Sequence, residues 1–194
     1  MKSTEIFVTD NNFDQTIVSF SGIKNKPEFR GLTKKYNLIQ VVDHTRSWYT
    51  NLDVDRIKKY LDGKPVITIG LSMGGYNAIQ FNKDYPVSLS IAFSPQYSIH
   101  PSFGETRWTK HADKIRWNYT NTKLTLSGVR AYVAFDHEDR DELRHFSEFH
   151  KASRHNPSIH VKDYPGYGHN IPANIKESGN LLEHIFKIID KYDQ

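Results

Sequence analysis

Short apolar runs, most of them rich in β-branched residues, recur along the whole chain. They lie at Glu5–Thr9, Thr16–Phe20, Asn37–Val42, Pro65–Ile69, Ser88–Phe93, Val129–Phe135 and Ser158–Lys162. Continuous apolar runs of this length are typical of strands that are buried on both faces of a parallel sheet. The pattern therefore predicts the strands of an open, mostly parallel sheet.

Segments with helical periodicity lie between these runs. They span Val54–Leu61, Gly75–Lys83, Arg140–Ser153 and Ile175–Tyr192. The last of them places a stripe of Leu and Ile residues on one face, as in a helix that packs against a core. Strands that alternate with helices form right-handed βαβ units, so we expect an α/β fold with helices on both faces of the sheet. A chain of 194 residues fits one such domain, residues 1–194.

The segment from residue 95 to residue 128 interrupts this alternation and is rich in aromatic and basic side chains. Loops of this length in compact domains tend to be lids or binding segments. Its aromatic residues, which include Tyr97, Trp108, Trp117 and Tyr119, would suit flat, amphipathic ligands such as sugar rings. The same residues could equally form a packed cap, so both interpretations of this insert stay open.

Composition excludes several classes of protein. Hydrophobic residues make up 37% of the chain and charged residues 25%, as in an ordinary soluble globular protein. The net charge is +4, but Lys and Arg are scattered rather than gathered into a run or onto one helix face, which argues against a nucleic-acid partner. This charge favours anionic substrates only by mild steering.

The chain contains no cysteine, which excludes disulfides, thiolate metal sites and a cysteine nucleophile. Its N-terminal part carries Glu5, Asp10 and Asp14 and no apolar run of signal-peptide length. No later segment reaches the roughly 18 apolar residues that a membrane-spanning helix needs. We therefore expect a cytoplasmic protein without a membrane partner, while the sequence does not indicate its oligomeric state.

Neither a metal nor a cofactor is expected. His145, His150, His155 and His160 recur at every fifth position, but a helix turns by about 500° over five residues, so these side chains share no face. No glycine-rich phosphate-binding motif is present.

The most specific signal is Gly70-Leu71-Ser72-Met73-Gly74-Gly75, which directly follows one predicted strand and precedes a predicted helix. A serine that serves as a nucleophile in such a strand-to-helix turn needs small neighbours, because side chains there would collide with nearby backbone. The glycines on both sides of Ser72 meet this need. Ser72 is therefore our candidate nucleophile.

With this motif, the chain resembles the α/β-hydrolase superfamily over nearly its whole length. In that fold a serine nucleophile, an acid and a histidine follow one another along the chain, and the histidine lies after the last strand. The resemblance therefore implies that His169, in the loop that follows Ser158–Lys162, is the catalytic base. Gly166 and Gly168 give this loop the freedom to aim the imidazole at Ser72.

Several acidic residues after Val129–Phe135 are candidates for the carboxylate that orients His169. The family commonly places this group about three residues beyond the strand, which favours Asp139. Asp136, at the end of the strand itself, is the second choice, followed by Glu138 and Asp141.

The resemblance also implies an oxyanion hole of two backbone N–H groups. One belongs to the residue after the nucleophile, Met73, and the other follows an early strand, where Ile23 in the Ser21-Gly22-Ile23 turn is expected. Arg46 and Trp48 follow another strand, and they would either reach the substrate or have a structural role.

These features predict a serine esterase that cleaves a small acyl ester through an acyl-enzyme on Ser72, so its partner is a small-molecule or carbohydrate acyl ester. The FSG, SWY, SMGGY and FSPQ stretches are similar to small α/β-hydrolase-like proteins of bacterial polysaccharide systems, which include capsule O-acetyltransferases. The alternative is therefore transfer of acetyl from acetyl-CoA to a carbohydrate, with Arg107, Lys110, Lys114 and Arg116 near an anionic donor. A binding protein without catalytic activity on the same fold is the third hypothesis.

Overall fold

A computed structural model describes residues 4–61, 63–115 and 123–193. Within them the chain forms a seven-stranded sheet of order β1-β3-β2-β4-β5-β6-β7. Its strands are β1 Thr4–Thr9, β2 Thr16–Phe20, β3 Asn37–Asp43, β4 Val66–Leu71, β5 Leu89–Phe93, β6 Ala131–Phe135 and β7 Ile159–Asp163. β1 is antiparallel to β3, and all other neighbouring pairs are parallel. The predicted mostly parallel α/β sheet is therefore confirmed.

Each predicted apolar run forms a strand, with ends that shift by a residue or two. The central strands β2, β4 and β5 are almost completely buried, which explains why their sequences are continuously apolar rather than alternating.

The helices are α1 Asp55–Lys58, α2 Met73–Gln80, α3 Leu143–Ser153, α4 Ile171–Ser178 and α5 Leu181–Tyr192. The helix expected over Ile175–Tyr192 is instead two helices. Asn180 separates them, since its side chain accepts the N–H groups of Leu182 and Glu183 and so caps the start of α5. Residues 176–180 contain no apolar side chain, and Gly179 and Asn180 are typical of a helix end and a helix start, so the sequence did carry a signal for this break.

Two hydrophobic clusters lie on opposite faces of the sheet. One contains Tyr76 of α2 and Phe149 of α3, and the other contains Ile175 of α4 and Ile185 of α5. Strand residues alternate between these clusters, as the pleat requires. The expectation of helices on both faces is thus confirmed.

This topology brings several loops to one edge of the sheet. Ser72 follows β4, residues 136–142 follow β6 and residues 164–170 follow β7. Because these strands are parallel, their carboxyl ends lie at the same edge, where open α/β sheets bind their ligands. Among the described residues, none of the helices is long and apolar enough to cross a membrane.

Candidate active site

Ser72 lies in a strained turn between β4 and α2. Its backbone has φ 57° and ψ −120°, a conformation that residues other than glycine rarely adopt. The neighbouring glycines are required by packing, because a Cβ at Gly70 would overlap the Gly74 backbone and a Cβ at Gly74 would overlap the Phe20 carbonyl. The turn thus presents Ser72 at the carboxyl edge of the sheet at a cost in backbone strain, which often accompanies function.

Ser72 is 3% exposed, and its hydroxyl is held by Gln96, which is completely buried. Gln96 Nε2 donates to Ser72 Oγ at 3.0 Å, while Gln96 Oε1 accepts the Trp48 indole N–H at 3.4 Å. The indole can only donate, so it fixes which end of the amide faces Ser72. Ser72 Oγ therefore accepts a hydrogen bond from Gln96, and its own hydrogen is available to another acceptor.

His169 lies in the loop between β7 and α4, and its side chain is 31% exposed. Gly168, with φ 58°, adopts the left-handed conformation next to it, and its N–H donates to Asp136 Oδ2 at 2.7 Å. The imidazole lies 6.4 Å from the Trp108 ring, measured between centroids. Ser72 and His169 line the same cavity, although no hydrogen bond joins the two side chains among the described residues.

The carboxylate that contacts His169 is Glu142, at 2.8 Å between Oε1 and Nδ1, and not Asp139. Asp139 accepts the Asp141 N–H instead. The second choice, Asp136, is buried but binds the backbone N–H groups of Glu138 and Gly168 rather than the imidazole. The sequence-based choice of acid is therefore corrected.

The physical reason lies in the path of the chain after β6. The Asp139 carbonyl accepts the N–H groups of Glu142 and Leu143, and this turn places Glu142 directly before α3, where it is completely buried. Glu138 and Asp141 remain on the surface. Glu142 was missed because all these acidic residues look alike in sequence, although its position at the start of an amphipathic helix was a usable signal.

Glu142 Oε1 also accepts a hydrogen bond from Arg107 Nη1 at 2.6 Å. Burial alone would raise the pKa of Glu142, but hydrogen bonds and charge attraction from His169 and Arg107 outweigh it, so this pKa lies below its usual range. Glu142 is therefore ionised at neutral pH and accepts the His169 Nδ1–H. In this tautomer His169 Nε2 is left as the basic nitrogen of the ring.

Arg107 continues the network to Glu105 and His145. Its Nη2 lies 2.6 Å from Glu105 Oε2, which His145 Nε2 also contacts at 2.8 Å. Burial would raise the pKa of Glu105, yet the bonds from His145 and Arg107 hold it far below its ordinary value. This buried network, like the contact between Gln96 and Ser72, was not foreseen from the sequence.

The two residues expected to supply the oxyanion-hole N–H groups lie next to Ser72 in the chain or in the same cavity. Met73 is the first residue of α2, and Ile23 lines the cavity. In the chain as far as it is described, neither N–H donates to a protein acceptor. Nearby, the Gly22 N–H donates to Glu28 Oε2 at 3.3 Å and Arg46 Nε donates to the Ile23 carbonyl at 3.2 Å, so both contacts support this turn.

The cavity has a volume of about 1000 Å³ and mostly apolar walls. These walls include Ile23, Phe29, Leu71, Pro172, Leu181 and Leu182. Lys24, Lys26 and Lys176 also line it. Burial raises the pKa of Glu28, which lines the cavity as well, although the Gly22 N–H and the charges of Lys26 and Lys24 partly offset this. The cavity therefore combines an apolar interior with mainly positive charge.

Part of the insert forms a wall of the site. Trp108 lines the cavity, whereas Tyr97 packs against Phe149 and Phe103. Trp48 is buried beside Trp108, which favours the structural role for Trp48. Lys110 and Lys114 are exposed, and the remaining predicted residues of the insert, Arg116, Trp117 and Tyr119, lie outside the described residues.

No protein-family model matches this chain, and no curated protein matches it. Solved structures do match. The capsule O-acetyltransferase of Neisseria meningitidis serogroup A has a TM-score of 0.70 and 16% identity, covering 98% of this chain and 92% of that one. MenH from S. aureus has a TM-score of 0.67 and 13% identity, and both chains are covered completely. A thermophilic esterase from Thermogutta terrifontis has a TM-score of 0.63 and 12% identity, covering 98% of this chain and 94% of that one.

This chain therefore has an α/β-hydrolase-like fold, as the sequence resemblance implied. Solved structures that share this fold include esterases, serine hydrolases and an O-acetyltransferase.

Proposed function

We propose that this protein is a serine hydrolase that cleaves a small acyl ester, with Ser72 as nucleophile, His169 as base and Glu142 as the orienting acid. The observation that carries the proposal is the hydrogen bond between His169 and the buried Glu142, at a cavity that Ser72 also lines. A loop histidine with no catalytic role does not need a buried carboxylate to fix its tautomer.

In this mechanism Ser72 Oγ attacks the acyl carbonyl while its proton passes to His169 Nε2. The ester C–O bond then breaks, and the imidazolium returns this proton to the departing alkoxide, which leaves as an alcohol. Water, deprotonated by the same nitrogen, attacks the acyl-enzyme and releases the acid and free Ser72. The N–H groups of Met73 and Ile23 would bind the oxyanion in both halves of the reaction.

The cavity supports an amphipathic substrate. Its apolar walls suit an acyl or other hydrocarbon group, since burial of apolar surface favours binding by about 25 cal/mol per Å². Within the described part of the chain, the lysines of the cavity form no ion pair. Their charge is therefore available to an anionic group of the substrate.

Acyl transfer is a second candidate, favoured by these lysines. A mutant of the N. meningitidis capsule O-acetyltransferase was solved in complex with CoA, which carries phosphates, and it matches this chain with a TM-score of 0.66. On that hypothesis acetyl-CoA would form the acyl-enzyme and a carbohydrate hydroxyl would accept the acetyl group. Steady hydrolysis of p-nitrophenyl acetate that ignores added sugars, with no thiol release from acetyl-CoA, would leave only the hydrolase.

Labelling with a fluorophosphonate probe tests the proposal. We expect covalent modification of Ser72, located by mass spectrometry, and loss of both labelling and esterase turnover in Ser72→Ala. Ser94→Ala is a matched control, because Ser94 is also buried and has a positive φ at the end of the neighbouring strand β5. Absence of labelling in folded protein would refute the proposal and favour a binding protein without catalytic activity.

A further inference from the structure

The insert contacts each of the three residues that we assign to catalysis. Gln96 donates to Ser72 Oγ, Arg107 donates to Glu142 Oε1, and the Trp108 ring lies 6.4 Å from that of His169. A segment that served only as a lid would not need to bond to the orienting acid beneath it. The Arg107 contact is the least expected of the three, because it places a cation on the same carboxylate that binds His169.

Arg107 is held rigidly in this place. Its Nε and Nη2 bind the two oxygens of Glu105 at 3.0 and 2.6 Å, and Nη1 binds Glu142 at 2.6 Å. Its Nη2 also donates to the Asp141 carbonyl at 3.1 Å. The planar guanidinium therefore bridges two buried carboxylates, a geometry that a lysine cannot reproduce.

Glu105 is fixed in turn by His145. The Tyr97 N–H donates to His145 Nδ1 at 3.0 Å, so this nitrogen accepts and carries no proton. His145 is therefore neutral and donates from Nε2 to Glu105 at 2.8 Å. Glu105 keeps a full negative charge beside Arg107, and the cluster of Glu142, Arg107 and Glu105 carries one net negative charge.

We propose that Arg107 is a positioning residue that holds the Glu142 carboxylate against His169 and offsets part of the negative charge that Glu142 brings to the ring. This inference rests on the proposed function. Both Arg107 Nη1 and His169 Nδ1 bind the same Glu142 oxygen, so the guanidinium lies close to the ring. Removal of this cation would leave the Glu142 charge at the ring without its second partner.

Other charged groups contact the His169 loop or line the same cavity. Asp136 binds the adjacent Gly168 N–H, Lys176 of α4 lines the same cavity, and Glu28 lies on the cavity wall. These groups stay unchanged in the variants below, so any shift of the pH profile comes from the cluster itself.

The test compares the acid limb of the kcat/KM profile for p-nitrophenyl acetate in two variants. Arg107→Gln removes the cation, so the midpoint should rise by about one pH unit. Glu105→Gln removes the anion that partly neutralises Arg107, so the midpoint should fall by about half a unit. Since the two shifts have opposite signs, a general loss of stability cannot imitate both.

Two further variants complete the test. Arg107→Lys keeps the charge and loses the bidentate geometry, so we expect an unchanged midpoint and a kcat lower by about tenfold. Arg140→Gln is the matched control, since Arg140 is exposed and lies on the loop that carries Glu142. Midpoints that coincide with wild type in both Arg107→Gln and Glu105→Gln would overturn the inference.

If Arg107→Gln does not fold, the direction of the Glu105→Gln shift decides alone, because this nearly isosteric change keeps an acceptor for Arg107 and His145. Failure of the inference is distinguishable from failure of the proposed function. In the first case wild type retains Ser72-dependent turnover, and in the second it has none.

Discussion

Replacement of Glu142 by Gln tests the site most directly, because it keeps the volume of a buried side chain and removes its charge. The His169 imidazolium and the Glu142 carboxylate lie 2.8 Å apart, which corresponds to about 6 kcal/mol of attraction at an effective dielectric constant of about 20. The positive charge of Arg107 remains in the variant and disfavours the imidazolium further. A Gln amide can also donate to Nδ1, which would move the ring proton onto the nitrogen that must act as base.

We therefore expect Glu142→Gln to lower kcat/KM by about 10⁴-fold, the size of the loss when a triad acid becomes an amide in a serine protease. The assay is p-nitrophenyl acetate turnover, with thermal unfolding to show that the variant is folded. Asp139→Asn is the control, because within the described part of the chain the Asp139 carboxylate bonds only the Asp141 N–H, which an amide oxygen can still accept. Its activity should stay within about twofold of wild type.

The opposite outcome would refute this assignment. If folded Glu142→Gln kept activity within tenfold while Asp139→Asn lost it, the hydrogen bond between Glu142 and His169 would have no catalytic role. The position about three residues beyond the strand, which the family resemblance favours, would then hold the acid.

Three further predictions concern packing, pH and substrate. Gly74→Ala should destabilise the protein by about 3 kcal/mol or more in chemical denaturation, because its Cβ would overlap the Phe20 carbonyl. Gly179→Ala is the control, and its free energy of unfolding should stay within about 0.5 kcal/mol of wild type, since the Gly179 backbone is extended and the space around it is open. Because the pKa values of Glu105 and Glu142 are lowered in the folded state, their contribution to stability is present above their unfolded pKa near 4.5 and lost as the pH falls below it. Acid titration followed by circular dichroism should therefore show a smaller loss of stability below pH 4.5 in Glu105→Gln than in wild type, and equal losses would contradict this. At low salt, replacing the three cavity lysines by Gln should raise KM for esters that carry a carboxylate or phosphate and leave KM for neutral esters unchanged. Equal effects on the two kinds of ester would remove the case for an anionic substrate.

The sequence by itself determined the architecture and the turn at Ser72. Continuous apolar runs identified the buried strands, because a strand covered on both faces has no solvent-facing side on which polar residues are favoured. The glycines around Ser72 predicted the tight turn for an equally local reason, since a Cβ at Gly70 or Gly74 would overlap backbone nearby. The choice of His169 as candidate base followed from the family resemblance, which places a histidine after the last strand.

Only the tertiary structure decided which acid meets His169 and which residues the insert contacts. The residues from 136 to 142 offer several carboxylates, and the turn after β6 determines that Glu142 is the one that is buried against the imidazole. Arg107 and Gln96 are distant in sequence from the residues that they contact, and no periodicity connects them. Hydrophobic patterns are set by burial along one element, whereas these polar contacts depend on where separate loops meet in space, which a linear pattern does not encode.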